Sequence, residues 1–240
     1  YQKIVDGCRQ VVENYKPTID IDPSWEMVEL GEVVSINPRK SEVQSLDQLT
    51  SVSFVPMEDL NENEISFVPT KNKKLQEVYS GYTYFRDDDV LLAKVTPCFE
   101  NGKAGIARAL TSGIGFGSSE FHVLRSSEKV LPEWIYINTI TNNFRINGIS
   151  NFTGTSGLRR VPRSFVESYR IPVPDIDTQL KMVEKSNRYE HRELPHHNKY
   201  PFSHLNLHQL KHYFDSKNYK YYLSLHVLFH YSMISYPPNL

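Results

Sequence analysis

The chain has 240 residues, 39% of them hydrophobic, and a formal net charge of −1, enough for one good-sized domain with appendages and too little charge to grip nucleic acid by bulk attraction, although a locally basic face stays open. It has no run of eighteen apolar residues and no leading apolar segment, so neither a membrane-spanning helix nor a secretory signal is expected. Two cysteines, Cys8 and Cys98, make no disulfide framework, and a cytoplasmic protein is the expectation.

Residues 1–16 read as the end of a helix. Ile4, Cys8, Val11, Val12 and Tyr15 recur at three- and four-residue steps, no cap residue precedes them, and Lys16–Pro17 stops the run. The first residue is not Met, and the chain reads as a fragment. Prolines and aspartates then form a linker, after which Trp25, Val28 and Leu30 anchor a new unit covering residues 17–174. Here short β-rich runs alternate with polar loops: "SVSFVPM", "ISFVPT", "GYTYF", "DVLLAKV", "AGIARAL" and "EFHVLRS". "LPEWIYINTITNNFRING" reads as one helix, with Pro132 in its first turn and Trp134, Ile135, Ile137 and Phe144 inward. "VPRSFVESYRIPVP" reads as a turn and a strand. Residues 175–189 start a further helix with Asp177 as its cap and Ile176, Leu180 and Val183 at helical spacing. The fold class is α+β: a twisted, mostly antiparallel β-sheet flanked by helical segments.

Composition shifts near residue 190. Eight of the nine histidines follow that point, with many tyrosines and no glycine. Residues 190–240 form an atypical His/Tyr-rich tail.

The ordered series "SWEMVELGEVVSINP", "VSFVPMEDL", "GYTYFRDDDVLLAKVTPCFENGKAGIA", "GFGSSEFHVLR" and "GTSGLRRVPRSFVESYRIPVPDIDTQLKMVEK" resembles one target-recognition domain of the specificity subunit of type I restriction-modification enzymes. "YQKIVDGCRQVVENYKP" resembles the end of the spacer helix that precedes such a domain. The resemblance implies a non-catalytic protein that reads one half of a split double-stranded DNA target. It implies helices that form a coiled coil and dock methyltransferase subunits, with restriction subunits joining the complex. One recognition domain implies one half-site, unless two half-subunits associate. S-adenosylmethionine, ATP and magnesium would belong to the partners, leaving no cofactor here. The chain departs from the family where Pro195 interrupts the second spacer helix, and the tail that follows reads as foreign to the pattern. That break suits an alternative function, a silent specificity fragment acting only as a protein-interaction scaffold.

Three stretches suit DNA. In "SNFTGTSGLRR", Gly154 and Gly157 allow close backbone approach, Thr153, Thr155 and Ser156 can donate to phosphate, and Arg159 and Arg160 suit phosphate or guanine. The surrounding residues 145–170 hold Arg145, Arg159, Arg160, Arg163 and Arg170 against one acid, Glu167. In "AKVTPCFENGKAGIAR", Lys94, Lys103 and Arg108 flank an Asn101–Gly102 turn, a strong hairpin signal. In "GFGSSEF", Ser118 and Ser119 suit phosphate and Glu120 suits a cytosine amino group. Each also reads as an ordinary polar surface turn.

The acids of "FRDDDV" read as a solvated strand-entry turn rather than a metal site. His204, His208 and His212 would align on a helix, but lack an accompanying ligand cluster. A methyltransferase would need a cofactor loop and an Asn-Pro-Pro-aromatic string, and a nuclease commonly ends its site with Glu-x-Lys. "TPCF" and "ENGK" satisfy neither, and no Gly-Lys-Ser/Thr phosphate loop occurs.

Overall fold

The computed structural model describes residues 21–62, 64–155 and 157–190. The expected helix over residues 1–16, the tail and its histidine series therefore lie outside the described residues.

Among the described residues, alternating apolar positions build eleven short strands, and the two faces of each strand decide the layers. The elements run β1 (Met27–Glu29), α1 (Leu30–Val33), β2 (Val34–Ile36), β3 (Ser51–Val55), β4 (Ser66–Phe67), β5 (Lys71–Lys74), α2 (Leu75–Val78), β6 (Thr83–Arg86), β7 (Val90–Ala93), β8 (Ala104–Ala107), β9 (Ile114–Gly117), β10 (Phe121–Ser126), α3 (Pro132–Thr139), α4 (Asn142–Ser150), α5 (Arg163–Ser168), β11 (Arg170–Pro172) and α6 (Ile176–Glu190). Instead of one sheet there are three: a β1–β11 ribbon, a five-stranded sheet ordered β2-β10-β7-β8-β4, and a four-stranded sheet ordered β5-β3-β9-β6. The α+β class and the mostly antiparallel pairing hold, with two parallel pairs, β4 with β8 and β3 with β9.

On β7 and β10, Val90, Leu92 and Leu124 face one core, where Trp134, Ile135, Phe144 and Val166 of the helices cover the five-stranded sheet. Leu91, Phe121 and Val123 face the opposite way and meet Val55 and Phe85 of the four-stranded sheet. This period-two division makes a sheet-on-sheet sandwich with helices on one outer face. The other outer face packs Val52, Tyr84 and Phe116 under Leu75 and Val78 of α2. In "GFG", a Cβ at Gly117 would lie 2.4 Å from the Val55 carbonyl, and one at Gly115 would lie 2.1 Å from the Phe85 ring. Only glycine leaves room there for the Val55 backbone of β3 and the Phe85 ring of β6, the two strands that flank β9 in its own sheet.

Three local expectations shift. The single helix over 131–148 is two, because Thr141 takes an extended conformation and its hydroxyl accepts from the Phe144 amide at 3.2 Å, starting α4 anew. All four of its expected inward residues are buried. The exit segment contains α5 before its strand. The cap of α6 is Asp175 rather than Asp177: its carboxylate accepts from the Thr178 amide at 2.9 Å and the Thr178 hydroxyl at 2.8 Å. Gln179 fixes this helix to the domain. Its buried side chain accepts from the Leu131 amide and donates to the carbonyls of Lys129 and Pro174.

Candidate nucleic-acid interface

One end of the five-stranded sheet gathers most of the candidate residues. β7 and β10 run antiparallel with Phe121 opposite Ala93, so Lys94, one residue past β7, meets Glu120, one residue before β10. The Lys94 amide donates to the Glu120 carbonyl at 2.9 Å. The Lys94–Thr96 backbone then pairs with a third segment. Val161 donates to Lys94, and Thr96 donates to Arg159, joined by a Val95–Arg160 bridge.

This segment is one arm of a hairpin. Thr153 and Arg160 exchange both backbone hydrogen bonds at 2.9 Å, enclosing the loop between them. Gly154 has φ +109°, and a Cβ there would lie 2.9 Å from the Leu158 carbonyl. The loop therefore closes only around a residue without a side chain. Thr153, Thr155, Gly157, Leu158 and Arg159 are exposed, and Ser156 lies outside the described residues.

The two arginines of the hairpin have different surroundings. Arg160 donates from Nε and Nη2 to the two carboxylate oxygens of Glu120, at 2.8 and 2.7 Å. Those hydrogen bonds hold the Glu120 carboxyl below the usual carboxylate range, with the charge of Lys94 adding to the effect. Arg159 instead lies over the Phe152 ring, its guanidinium carbon 5.2 Å from the centroid. Among the described residues it has no carboxylate partner. Phe152 leans edge-on against Phe99 at 5.7 Å, and Phe99 packs on Phe144 at 5.9 Å. The exposed arginine thus stands on an aromatic column rooted in the core.

Beneath the hairpin lies His122, buried on β10. Its Nε2–H donates to the Val161 carbonyl at 2.9 Å, and Nδ1 faces the Asn37 amide nitrogen at 3.4 Å. A carbonyl can only accept and an amide NH₂ can only donate, so the ring is the neutral Nε2–H tautomer. Burial pushes the imidazole below its ordinary value, and the charges of Lys94 and Arg163 push the same way. Ser118 shapes the neighbouring turn: its hydroxyl accepts from the Glu120 amide at 3.2 Å, and its own amide donates to Val55. Ser119 sits beside it at the surface.

The remaining candidates are more scattered. Lys103 sits at the same end, its carbonyl accepting from the Ala93 amide, but strand alternation turns its side chain to the opposite face of the sheet from Lys94. Arg163 opens α5 and forms an exposed pair with Glu167 at 2.7 Å. Arg108 does not flank the Asn101–Gly102 turn at all. β8 separates them by roughly 13 Å of strand, and its guanidinium is engaged by Asp88 and, at 2.5 Å, by Glu133. The turn itself belongs to a wide connection over residues 94–103 rather than to a two-residue hairpin. The three adjacent aspartates have separate partners: Asp87 accepts from the Leu110 amide, Asp88 pairs with Arg108, and Asp89 pairs with Arg125.

The candidate residues did not include Phe152, His122, Asn37 or Thr96, although the quoted stretches contain Phe152 and Thr96. His122 had one visible signal, a lone polar residue in the apolar run "EFHVLRS". The role of Phe152 depends on a column assembled from α4, the hairpin and the turn after β7, which no local pattern encodes.

The chain matches the family model described as Type I restriction modification DNA specificity domain over residues 23–200. It is 40% identical to the type I restriction enzyme EcoEI specificity subunit and 35% identical to the EcoAI specificity subunit, both from Escherichia coli, over 175 residues in each case. These alignments cover 72% of this chain and 29% of each relative, so the chain spans under a third of their length. Among solved structures, it superposes on the HsdS subunit from Thermoanaerobacter tengcongensis with a TM-score of 0.46 at 17% identity, over 79% of this chain and 44% of that one. With the family model covering well over half of its residues, the chain belongs to the type I restriction-modification DNA specificity domain family.

Proposed function

We propose that this chain reads one half of a bipartite duplex target within a type I restriction-modification assembly, through the rim built on Lys94, Glu120 and the 153–160 hairpin. The observation that supports the reading is convergence. Segments around residues 94–96, 118–120 and 153–163, remote in sequence, meet at one end of the sheet and bring Lys94, Ser118, Ser119, Thr153, Thr155, Arg159, Arg160 and Arg163 to one locality. Cationic side chains and small hydroxyls at such a rim suit phosphate, while an arginine fork suits the guanine edge. Ser156 belongs to the same loop by sequence. Lys103 serves the flank of the rim, and Arg108 is left to its carboxylates.

In this reading the domain does no chemistry. Methyl transfer and cleavage, with S-adenosylmethionine, ATP and magnesium, belong to methyltransferase and restriction subunits docked through flanking helices, of which α6 is the described one. A second recognition domain completes the bipartite target. In a gel-shift titration, the assembled complex is expected to prefer one short sequence. Arg159→Ala combined with Arg160→Ala is expected to weaken that binding and flatten its salt dependence. Unchanged affinity and slope would remove the hairpin from the interface.

A further inference from the structure

We infer that the adjacent arginines have separate roles, Arg159 as the residue that meets DNA and Arg160 as a positioning residue that, through Glu120, sets the hairpin on the end of the sheet. The inference rests on the DNA-reading function proposed above and assigns its contact.

Two observations separate them. The Arg160 fork is filled, with two parallel N–H donors on both oxygens of one carboxylate, the geometry that gives such a pair its directional hold. Turning that fork toward a base would strip Glu120 of its partner and leave an anion facing an anionic duplex. The pair also spans 40 residues of sequence and ties the turn before β10 to the hairpin arm. The Arg160 backbone is fastened on both sides, to Thr153 and in the bridge to Val95. Every bond that Arg160 makes holds the hairpin in place.

Arg159 has the complementary arrangement. Its guanidinium carbon lies 5.2 Å from the Phe152 centroid, and among the described residues no carboxylate holds its N–H donors, which leaves them available for a planar acceptor pair. Residues 159 and 160 point to opposite sides of an extended arm, so the filled fork and the open one do not compete. The column of Phe152, Phe99 and Phe144 restricts the Arg159 side chain before DNA arrives, which lowers the ordering cost of the contact. Neutral His122, bonded to the Val161 carbonyl, steadies the same arm without adding a charge.

The test uses the assembled complex with its full specificity chain, a duplex bearing the motif that the complex methylates, and a scrambled duplex. Amide hydrogen exchange over residues 153–160 is read in parallel. Arg159→Ala should lower specific affinity by about ten- to hundredfold while exchange in the hairpin stays at the wild-type level. Glu120→Arg and Arg160→Glu, made singly, should each speed exchange in the hairpin and weaken binding. The two made together restore the ion pair with its partners exchanged, and should bring back both slow exchange and affinity. Wild-type affinity for Arg159→Ala would overturn the inference. So would a double exchange that restores hairpin protection but not binding, since Arg160 would then touch the DNA itself. A wild-type complex without sequence preference would instead defeat the DNA reading, and the exchange measurements would still decide whether the Glu120–Arg160 pair positions the hairpin.

Discussion

Two arginine–carboxylate forks of nearly identical geometry sit at opposite ends of β10. At one end, Arg125 donates from Nε and Nη2 to both oxygens of Asp89, each at 2.8 Å. At the other, Arg160 holds Glu120 at 2.8 and 2.7 Å. Their surroundings differ. The Asp89 side chain is 1% exposed and that of Arg125 is 11%, against 26% for Glu120 and 38% for Arg160. The buried fork extends into a network, since Arg125 also donates to Glu42, which accepts from the Tyr84 hydroxyl on the other sheet. Burial pushes the Asp89 carboxyl above its ordinary range despite the opposing pull of Arg125. At the rim, the Arg160 hydrogen bonds outweigh burial and lower Glu120. The same fork is a fixed anchor within the sheet when dry and an adjustable strut when half wet, because water screens the exposed pair far more than the buried one.

Breaking the buried fork is expected to have the largest effect. Arg125→Met leaves Asp89 as an uncompensated buried anion and should cost about 3–5 kcal/mol of stability, read as a lowered midpoint in chemical denaturation. Arg125→Met combined with Asp89→Leu should recover most of that loss, since no charge is left stranded. A double variant as unstable as the single one would show that packing, and not the stranded charge, sets the cost. Rim variants such as Glu120→Arg should shift the midpoint far less while changing hairpin exchange more.

A packing change below the rim sharpens the contrast. A Cβ at Gly148 would lie 2.4 Å from the Phe99 ring, which is buried and boxed in by Phe144 and Phe152. Gly148→Ala gains helix propensity but overpacks that column, and a net loss of about 1–3 kcal/mol is expected. Because Phe99 props Phe152 and hence Arg159, specific DNA affinity should fall with it, although neither fork is touched. Denaturation and gel-shift titrations of this variant check both halves.

The smallest expected effect is a pH slope near the rim. The folded His122 imidazole titrates below its ordinary value, chiefly through burial, with the charges of Lys94 and Arg163 adding and Glu120 and the Val161 carbonyl opposing. Between that lowered value and about 6.5, the unfolded chain binds more protons than the folded one. Stability therefore rises with pH across this window and is lost as pH falls from about 6.5. Denaturation midpoints of wild type and His122→Asn from pH 7 to 5 should converge on acidification, because the variant lacks the titrating ring. Parallel curves would remove His122 as the source.

Much of the local fold was legible. Apolar β-rich runs marked β3, β4, β6, β7, β8 and β10, and Trp134, Ile135, Ile137 and Phe144 were readable as the buried side of the helical region. β5 escaped because "KNKK" has no apolar alternation, being a lysine-rich sheet edge exposed at Lys71, Asn72 and Lys74. β1 and β2 escaped because three residues are too few to show a period. β9 escaped because glycine fills every second place in "IGFG", and those glycines are needed only where β9 meets the Val55 carbonyl of β3 and the Phe85 ring of β6. At the candidate site, residue types and loop were legible and partners were not. Arg108 looked like part of a basic hairpin until Asp88 and Glu133 claimed it.

Chain order and residue type by themselves determined the α+β class, the glycine-bearing loop at residues 153–160, the local excess of arginine and the family resemblance, because turn chemistry and side-chain period act over a few residues. Tertiary structure decided which charges meet. Glu120 finds Arg160 across 40 residues, and Asp89 finds Arg125 across 36, because sheet register and the packing of α3 and α4 bring those strands together. Only that register separates an arginine held by its own protein from one left facing outward.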